Sequence, residues 1–175
     1  MRSRAVLVLL ATASVGLLAA TSSSAASSDQ KVCTWGGTPA APTGVITLDP
    51  GITNTPSTQP TQFVATGELG GGEGCSGTLT FTGTIEAGTT CAINAPFHAK
   101  ARGLPPIKTV EAPQPGAAGS QLVLLYDAQG NVVGSEQAQF LTSAVNESDP
   151  AYLDCNSPQG LTFANWSDTV ELFGS

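Results

Sequence analysis

The chain has 175 residues, with 13 acidic and 6 basic side chains, 4 cysteines, 1 histidine, 20 glycines, 12 prolines and a formal net charge of −7. That length suits one domain behind a leader and excludes a large multidomain enzyme, while 41% apolar content excludes a disordered acidic tail and a multispan membrane protein. Charged residues make up only 11%, well under the roughly 25% usual for soluble domains, so Thr, Ser, Gln, Asn and Gly must build most of the wet surface.

The first element is a leader. Arg2 and Arg4 precede an apolar run from Ala5 to Ala20, and small residues follow, ending Ser24-Ala25-Ala26. This is the pattern of a cleaved secretory signal, and the apolar run is shorter than the roughly 20 residues a membrane span needs. Residues 1–26 therefore read as a signal peptide and 27–175 as a single secreted, extracellular β-domain. Gln30-Lys31-Val32 before Cys33 lacks the small-residue lead-in of a lipoprotein signal. Cleavage removes two of the six basic residues and no acidic one, leaving 4 against 13 and a net charge of −9. Such a surface repels nucleic acid and anionic lipid, which need clustered Lys and Arg. Neither a nucleic-acid partner nor a membrane span after cleavage is expected.

The strands follow in chain order. Val45 to Leu48 makes a first short strand, and a Pro/Thr-rich loop then reaches Thr61. Phe63, Ala65 and Leu69 alternate along the next, which ends in the Gly70–Gly74 turn. In Gly77 to Ile85, Leu79, Phe81 and Ile85 face one side and Thr78, Thr80, Thr82 and Thr84 the other, a period of two that means one buried and one wet face. After Glu86-Ala87-Gly88 a third strand places Ile93, Ala95, Phe97, Ala99 and Ala101 on one face and His98, Lys100 and Arg102 on the other. Leu104-Pro105-Pro106 stops it, because proline cannot donate to a ladder. Ile107 to Glu111 reads as a short edge strand and Pro113 to Ser120 as loop. Leu122 to Tyr126 is apolar on both faces, which implies a central strand covered on both sides. Asp127 to Asn131 turns into Val132-Val133 as a hairpin. Thr142 to Gly160 reads as a long acidic loop containing Cys155, and the last strand runs from Leu161 to Phe173 with a bulge between Phe163 and Trp166.

No segment beyond the leader has an apolar 3.6-residue period. About eight short antiparallel strands must form two sheets or close on themselves, or their edges would aggregate. The fold expected is all-β: an immunoglobulin-like antiparallel β-sandwich first, an up-and-down β-barrel as the alternative.

The four cysteines, Cys33, Cys75, Cys91 and Cys155, form an even set in an exported chain and read as two disulfides. Their wide spacing lacks the close C-x2-C pairs of a zinc site. With each strand reversing direction, Cys75 and Cys91 fall at opposite ends, too far apart for a bond that needs Cα atoms within about 7 Å. Alternate counting pairs Cys33 with Cys75 and Cys91 with Cys155.

Catalytic chemistry finds little support. His98 is the only histidine, and Gly74-Cys75-Ser76-Gly77 lacks the G-x-S-x-G elbow that would give it a nucleophile. Glu68, Glu73 and Glu86 sit near turns and do not pair as glycosidase carboxylates do. Asn146-Glu147-Ser148-Asp149, with Asp154 and Asp168, lacks the ligand spacing of an EF-hand loop. No catalytic residue, metal site or cofactor is assigned. Asn146 and Asn165 head N-x-S sequons. Trp35 and Trp166 suit core or disulfide packing. One asymmetry points to a ligand: Lys100, Arg102 and Lys108 are three of the four basic residues beyond the leader, with His98 beside them. His98, Lys100 and Arg102 project from one strand face about 7 Å apart, a positive strip for an acidic glycan, a carboxylate ligand or an acidic partner. Cross-strand pairing with glutamates such as Glu111 is the competing use of these charges.

Val32-Cys33-Thr34-Trp35-Gly36-Gly37-Thr38-Pro39, Gly74-Cys75-Ser76-Gly77-Thr78-Leu79-Thr80-Phe81, and Leu125-Tyr126-Asp127 through Gly130-Asn131-Val132-Val133-Gly134 resemble a group of small secreted actinobacterial two-disulfide all-β proteins of unassigned function. The resemblance implies secretion and fold and carries no catalytic residue. In composition the chain is also similar to the enediyne-chromophore carrier proteins, whose bridges close shorter loops, so no binding residue transfers. The function expected is a non-catalytic secreted binding or surface-associated protein for an unknown extracellular ligand, an anionic one in the case of the strip. The alternatives are a carrier of a small apolar ligand, in a pocket lined by Phe63, Phe81 and Phe97, or a loop-presenting protease inhibitor, with a hydrolase last.

Overall fold

A computed structural model describes residues 30–117, 121–138 and 150–173. The expected leader, and the stretch 142–149 with Asn146, Glu147 and Asp149, lie outside the described residues. In chain order the elements are β1 (Lys31–Trp35), β2 (Gly37–Thr38), β3 (Ala41–Pro42), β4 (Gly44–Ile52), β5 (Thr61–Gly70), β6 (Thr78–Ile85), β7 (Ile93–Asn94), β8 (Phe97–Arg102), β9 (Thr109–Ala112), β10 (Gly116–Ala117), β11 (Gln121–Tyr126), β12 (Val132–Ala138), α1 (Pro150–Cys155), β13 (Leu161–Trp166) and β14 (Asp168–Leu172). No helix among the described residues is long and apolar enough to cross a membrane.

Alternation decides what each strand buries. Phe63, Ala65 and Leu69 on β5, Leu79, Phe81 and Ile85 on β6, and Phe97, Ala99 and Ala101 on β8 all point into one core. A sheet with a single apolar face must hide that face, and this one does so by curling on itself. Its long strands pair antiparallel with their chain neighbours in the order β5, β6, β8, β9, β11, β12, β14. β1 completes the ring by pairing with β14 on one side and β5 on the other. The result is a closed eight-stranded barrel, the alternative architecture, and the expected immunoglobulin-like sandwich does not form. An outward row runs in register around the wall from Gln62 through Thr84, His98, Glu111, Leu124, Ser135 and Glu171 to Val32. Thr34 pairs with Gly70, so Val32 comes level with Gly72, ten residues on from Gln62. That stagger tilts the strands, and with eight of them the interior is just wide enough for side chains to fill.

The ring closes along a compound seam. β1 lies against Gly70 and Leu69 of β5, and β4 continues in line against Thr66 to Gln62. β14 pairs with β1 and β13 with β4, so β13 and β14 act as one strand interrupted at Ser167. The β2–β3 hairpin leaves the wall at Gly36 and returns at Gly44, where the N–H groups of Thr43 and Gly44 donate to the Gly36 carbonyl at 2.8 and 3.0 Å. Glycine makes the pinch possible. A Cβ on Gly44 would lie 2.7 Å from the Trp166 carbonyl oxygen, and one on Gly67 would lie 2.8 Å from the Gly36 Cα. Beneath it Trp35 is fully buried, and its Nε1–H donates to the carbonyls of Gly67 and Leu79 at 3.1 and 3.0 Å. Its ring centroid lies 4.4 Å from Phe81 and 4.1 Å from Trp166, contacts worth about 0.5–1.5 kcal/mol each beyond area burial. Both tryptophans are core residues, as expected.

The disulfides pair as expected, Cys33 with Cys75 and Cys91 with Cys155. The first ties β1 to the turn after β5, and the second ties the loop after β6 to α1. Sequence separations of 42 and 64 residues correspond to about 4 kcal/mol each in the chain-entropy account.

Five local expectations need correction. β9 is no edge strand, because β8 and β11 flank it. β11 is covered on one side only: Leu122 is 54% exposed, and single exposed leucines are ordinary on a barrel wall. The third strand begins at Phe97 rather than Ile93, because Pro96 interrupts it and Ile93 pairs instead with Ala117 of β10. The register shift in β13 falls between Leu161 and Phe163, ahead of the expected position. The stretch read as loop through Cys155 holds the helix α1.

The seam gives a direct test by chemical denaturation. Gly44→Ala should destabilise the barrel by about 1–3 kcal/mol, since the methyl meets backbone that cannot move. Gly72→Ala, with its nearest neighbour 3.8 Å away, should stay within about 0.5 kcal/mol of the parent.

Candidate functional site

β8 carries the basic strip because its other face is small. Ala99 and Ala101 point inward, and Gly83 of β6 lies opposite Ala99, where any Cβ would meet the His98 carbonyl oxygen at 2.1 Å. β6 and β8 are thus drawn tightly together, and His98, Lys100 and Arg102 stand exposed on the outside. The predicted strip forms as a line.

Its neighbours are set by register. On the β6 side Thr84, Thr82 and Thr80 lie opposite His98, Lys100 and Arg102. On the β9 side Glu111 lies opposite His98, and Thr109 opposite Lys100. Lys108 joins from the rim: its N–H donates to the Tyr126 carbonyl, and its own carbonyl accepts from Ala101 N–H. Lys100, Arg102 and Lys108 make no ion pair with any described residue. Glu111 lies opposite His98 at one end of the strip, and the turn residue Asp127 follows Tyr126, the partner of Thr109. Asp127 is held by Asn131, whose side-chain and backbone N–H groups donate to it and keep its carboxyl below the usual range.

The hydroxyls around the strip differ among themselves. Thr80 bonds Thr66 at 2.9 Å, Thr84 donates to Gln62 at 3.1 Å, and Thr78 donates to Glu68. Thr82 and Thr109, the two that flank Lys100, are exposed and have no partner among the described residues.

Other candidates are dispersed. His98 sits on the open wall with a threonine and a glutamate beside it, and Ser76 lies beyond the far end of β6, more than about 20 Å away. Asp154 is exposed on α1, whereas Asp168 points into the barrel. Among the described residues no three His, Cys, Asp or Glu side chains gather as metal ligands. Of the phenylalanines expected to line a ligand pocket, two line a small one together. Phe63 and Phe97, with Ile46, Leu48, Ile52, Ile85 and Asn94, enclose a void of about 20 Å³, room for one water. Phe81 packs on Trp35 instead. A wider furrow of about 360 Å³ opens beside Cys75 between Lys31 and Glu73.

One pair of carboxyls escaped the sequence reading. Glu136, on β12, is 2% exposed and Asp168, on β14, 6% exposed. Alternation did carry a signal, because Asp168 shares its face with Val170 and Leu172. Neither Glu136 oxygen has a well-formed hydrogen bond to a described residue. Burial foremost, then the neighbouring charge of Asp168, keeps the proton on Glu136 and holds its carboxyl well above its usual range. Both groups are shut away from solvent, so the pair is a feature of the core.

No family model, curated protein or solved structure matches the chain.

Glu136 makes stability depend on pH with a definite sign. The folded state keeps a proton that the unfolded chain releases near 4.5, so stability is full below that pH and falls above it, by up to about 1.4 kcal/mol per unit, until the folded group ionises. Denaturation followed from pH 4 to 8 should show Glu136→Gln equal to the parent at the acid end and more stable at neutral pH. Parallel curves would refute the assignment.

Proposed function

We propose that the protein is a secreted, non-catalytic binding module that holds an anionic extracellular ligand against the outer wall of β8. The observation that carries this reading is the line of Lys100 and Arg102, with Lys108 beside it, exposed and without ion pairs among the described residues, on a chain with 13 acidic residues. Exposed cations on an acidic protein usually find a carboxylate; these face threonines. His98 extends the line, and Glu111 opposite it limits the line at that end. The local cations attract a small or thin anion, while the acidic surface around them repels the dense, extended charge of a nucleic-acid duplex. Two disulfides fit an oxidising compartment. A rigid barrel with its register fixed at the seam keeps the three strands of the patch in place, which lowers the ordering cost of binding.

Binding of dextran sulfate and of polyglutamate, measured by calorimetry at low salt, tests the reading. The parent should bind at least one of them, with affinity falling as salt rises, and Lys100→Gln combined with Arg102→Gln should weaken binding at least tenfold. No binding by the parent, or equal binding by the double variant, rules the reading out.

A further inference from the structure

The patch has a shape as well as a charge. A second outward row crosses it, from Phe163 through Thr47, Val64, Thr82, Lys100 and Thr109 to Tyr126, each in register with the next. At about 4.8 Å per strand the five positions from Val64 to Tyr126 span about 19 Å. At its centre stand the Lys100 ammonium and, on either side of it, the hydroxyls of Thr82 and Thr109, which have no partner among the described residues. At its ends lie Tyr126, half-buried with its ring on the outer face, and Val64, 39% exposed.

Building on the anion-binding reading, we propose that the ligand is an acidic polysaccharide, a chain of uronic acid units, lying across the strands along this row. A uronate presents a carboxylate, hydroxyls and an apolar ring face, and the row offers a counterpart to each. Lys100 takes the carboxylate, Thr82 and Thr109 bond ring hydroxyls, and Tyr126 gives a flat surface for a sugar face. Arg102, on the same outer face of β8 as Lys100, meets the carboxylate of an adjoining unit. Glu111 repels a chain laid the other way, toward His98. An inorganic polyanion would use the cations and leave the hydroxyls and Tyr126 idle. An acidic peptide would gain most by adding a strand, but β8 is already hydrogen-bonded on both sides, to β6 and β9, so no edge is open there.

Calorimetry with a tetragalacturonate, tripolyphosphate and a hexaglutamate separates these outcomes. The parent should bind the tetragalacturonate at least tenfold more tightly than either other probe. Thr109→Val and Tyr126→Leu, both on the outer wall, should each weaken tetragalacturonate binding about fivefold and leave tripolyphosphate unchanged. Lys100→Gln should weaken all probes. Equal affinity for tripolyphosphate with no effect of Thr109→Val or Tyr126→Leu overturns the polysaccharide assignment and leaves the anion-binding reading standing, as does tighter binding of the hexaglutamate. Binding of none of the three overturns both.

Discussion

The pairing of β1 with β5 turns a curled sheet into a closed one, and most of the rest depends on it. Trp35 sits at that junction, buried beneath Gly67 and Gly36, with Phe81 and Trp166 against its ring. The strands approach closely because three glycines meet there, and a large indole fills the space that three missing side chains leave below. Closure gives each of the eight ring strands a neighbour on both sides, a protection that a chain so poor in charge could not otherwise supply. It also fixes the stagger of the wall, and hence which outward residues become neighbours.

Alternation within single strands was legible: Thr78 to Ile85 announced its wet and dry faces, and His98, Lys100 and Arg102 were placed on one side of one strand. The disulfides were legible too, because counting strand reversals assigns each cysteine to an end. Closure was not, since Gly36, Gly44 and Gly67 read as ordinary turn or strand glycines and nothing local shows that they touch. The double apolar face of Leu122 to Tyr126 suggested a covering second sheet, yet a barrel wall tolerates an exposed Leu122. Cross-strand register was hidden for the same reason. Lys100 was visible in the sequence, but Thr82, Thr109 and Tyr126 became its companions only once β6, β9 and β11 were aligned.

The interior and the wall use polarity in opposite ways. Inside, Glu136 is kept neutral by burial and by Asp168, at a cost in stability that grows as the pH rises. Outside, Lys100, Arg102 and Lys108 make no ion pair with a described residue and stand where water solvates them cheaply. A small alanine-lined core on β8 links the two, since Ala99 and Ala101 let the wall draw in toward Gly83 and set the strip on a tightly packed base.

The β2–β3 hairpin departs from the wall and rejoins it at adjacent points, Gly36 and Gly44, so residues 37–43 take no part in the register of the barrel. The turn Pro39-Ala40 at its tip is exposed on every side. A foreign peptide spliced there would lengthen a handle and leave the vessel alone, because both ends of the insert would still be gripped at the same spot. The fold therefore comes with a display position, on a scaffold fastened by a disulfide at each end.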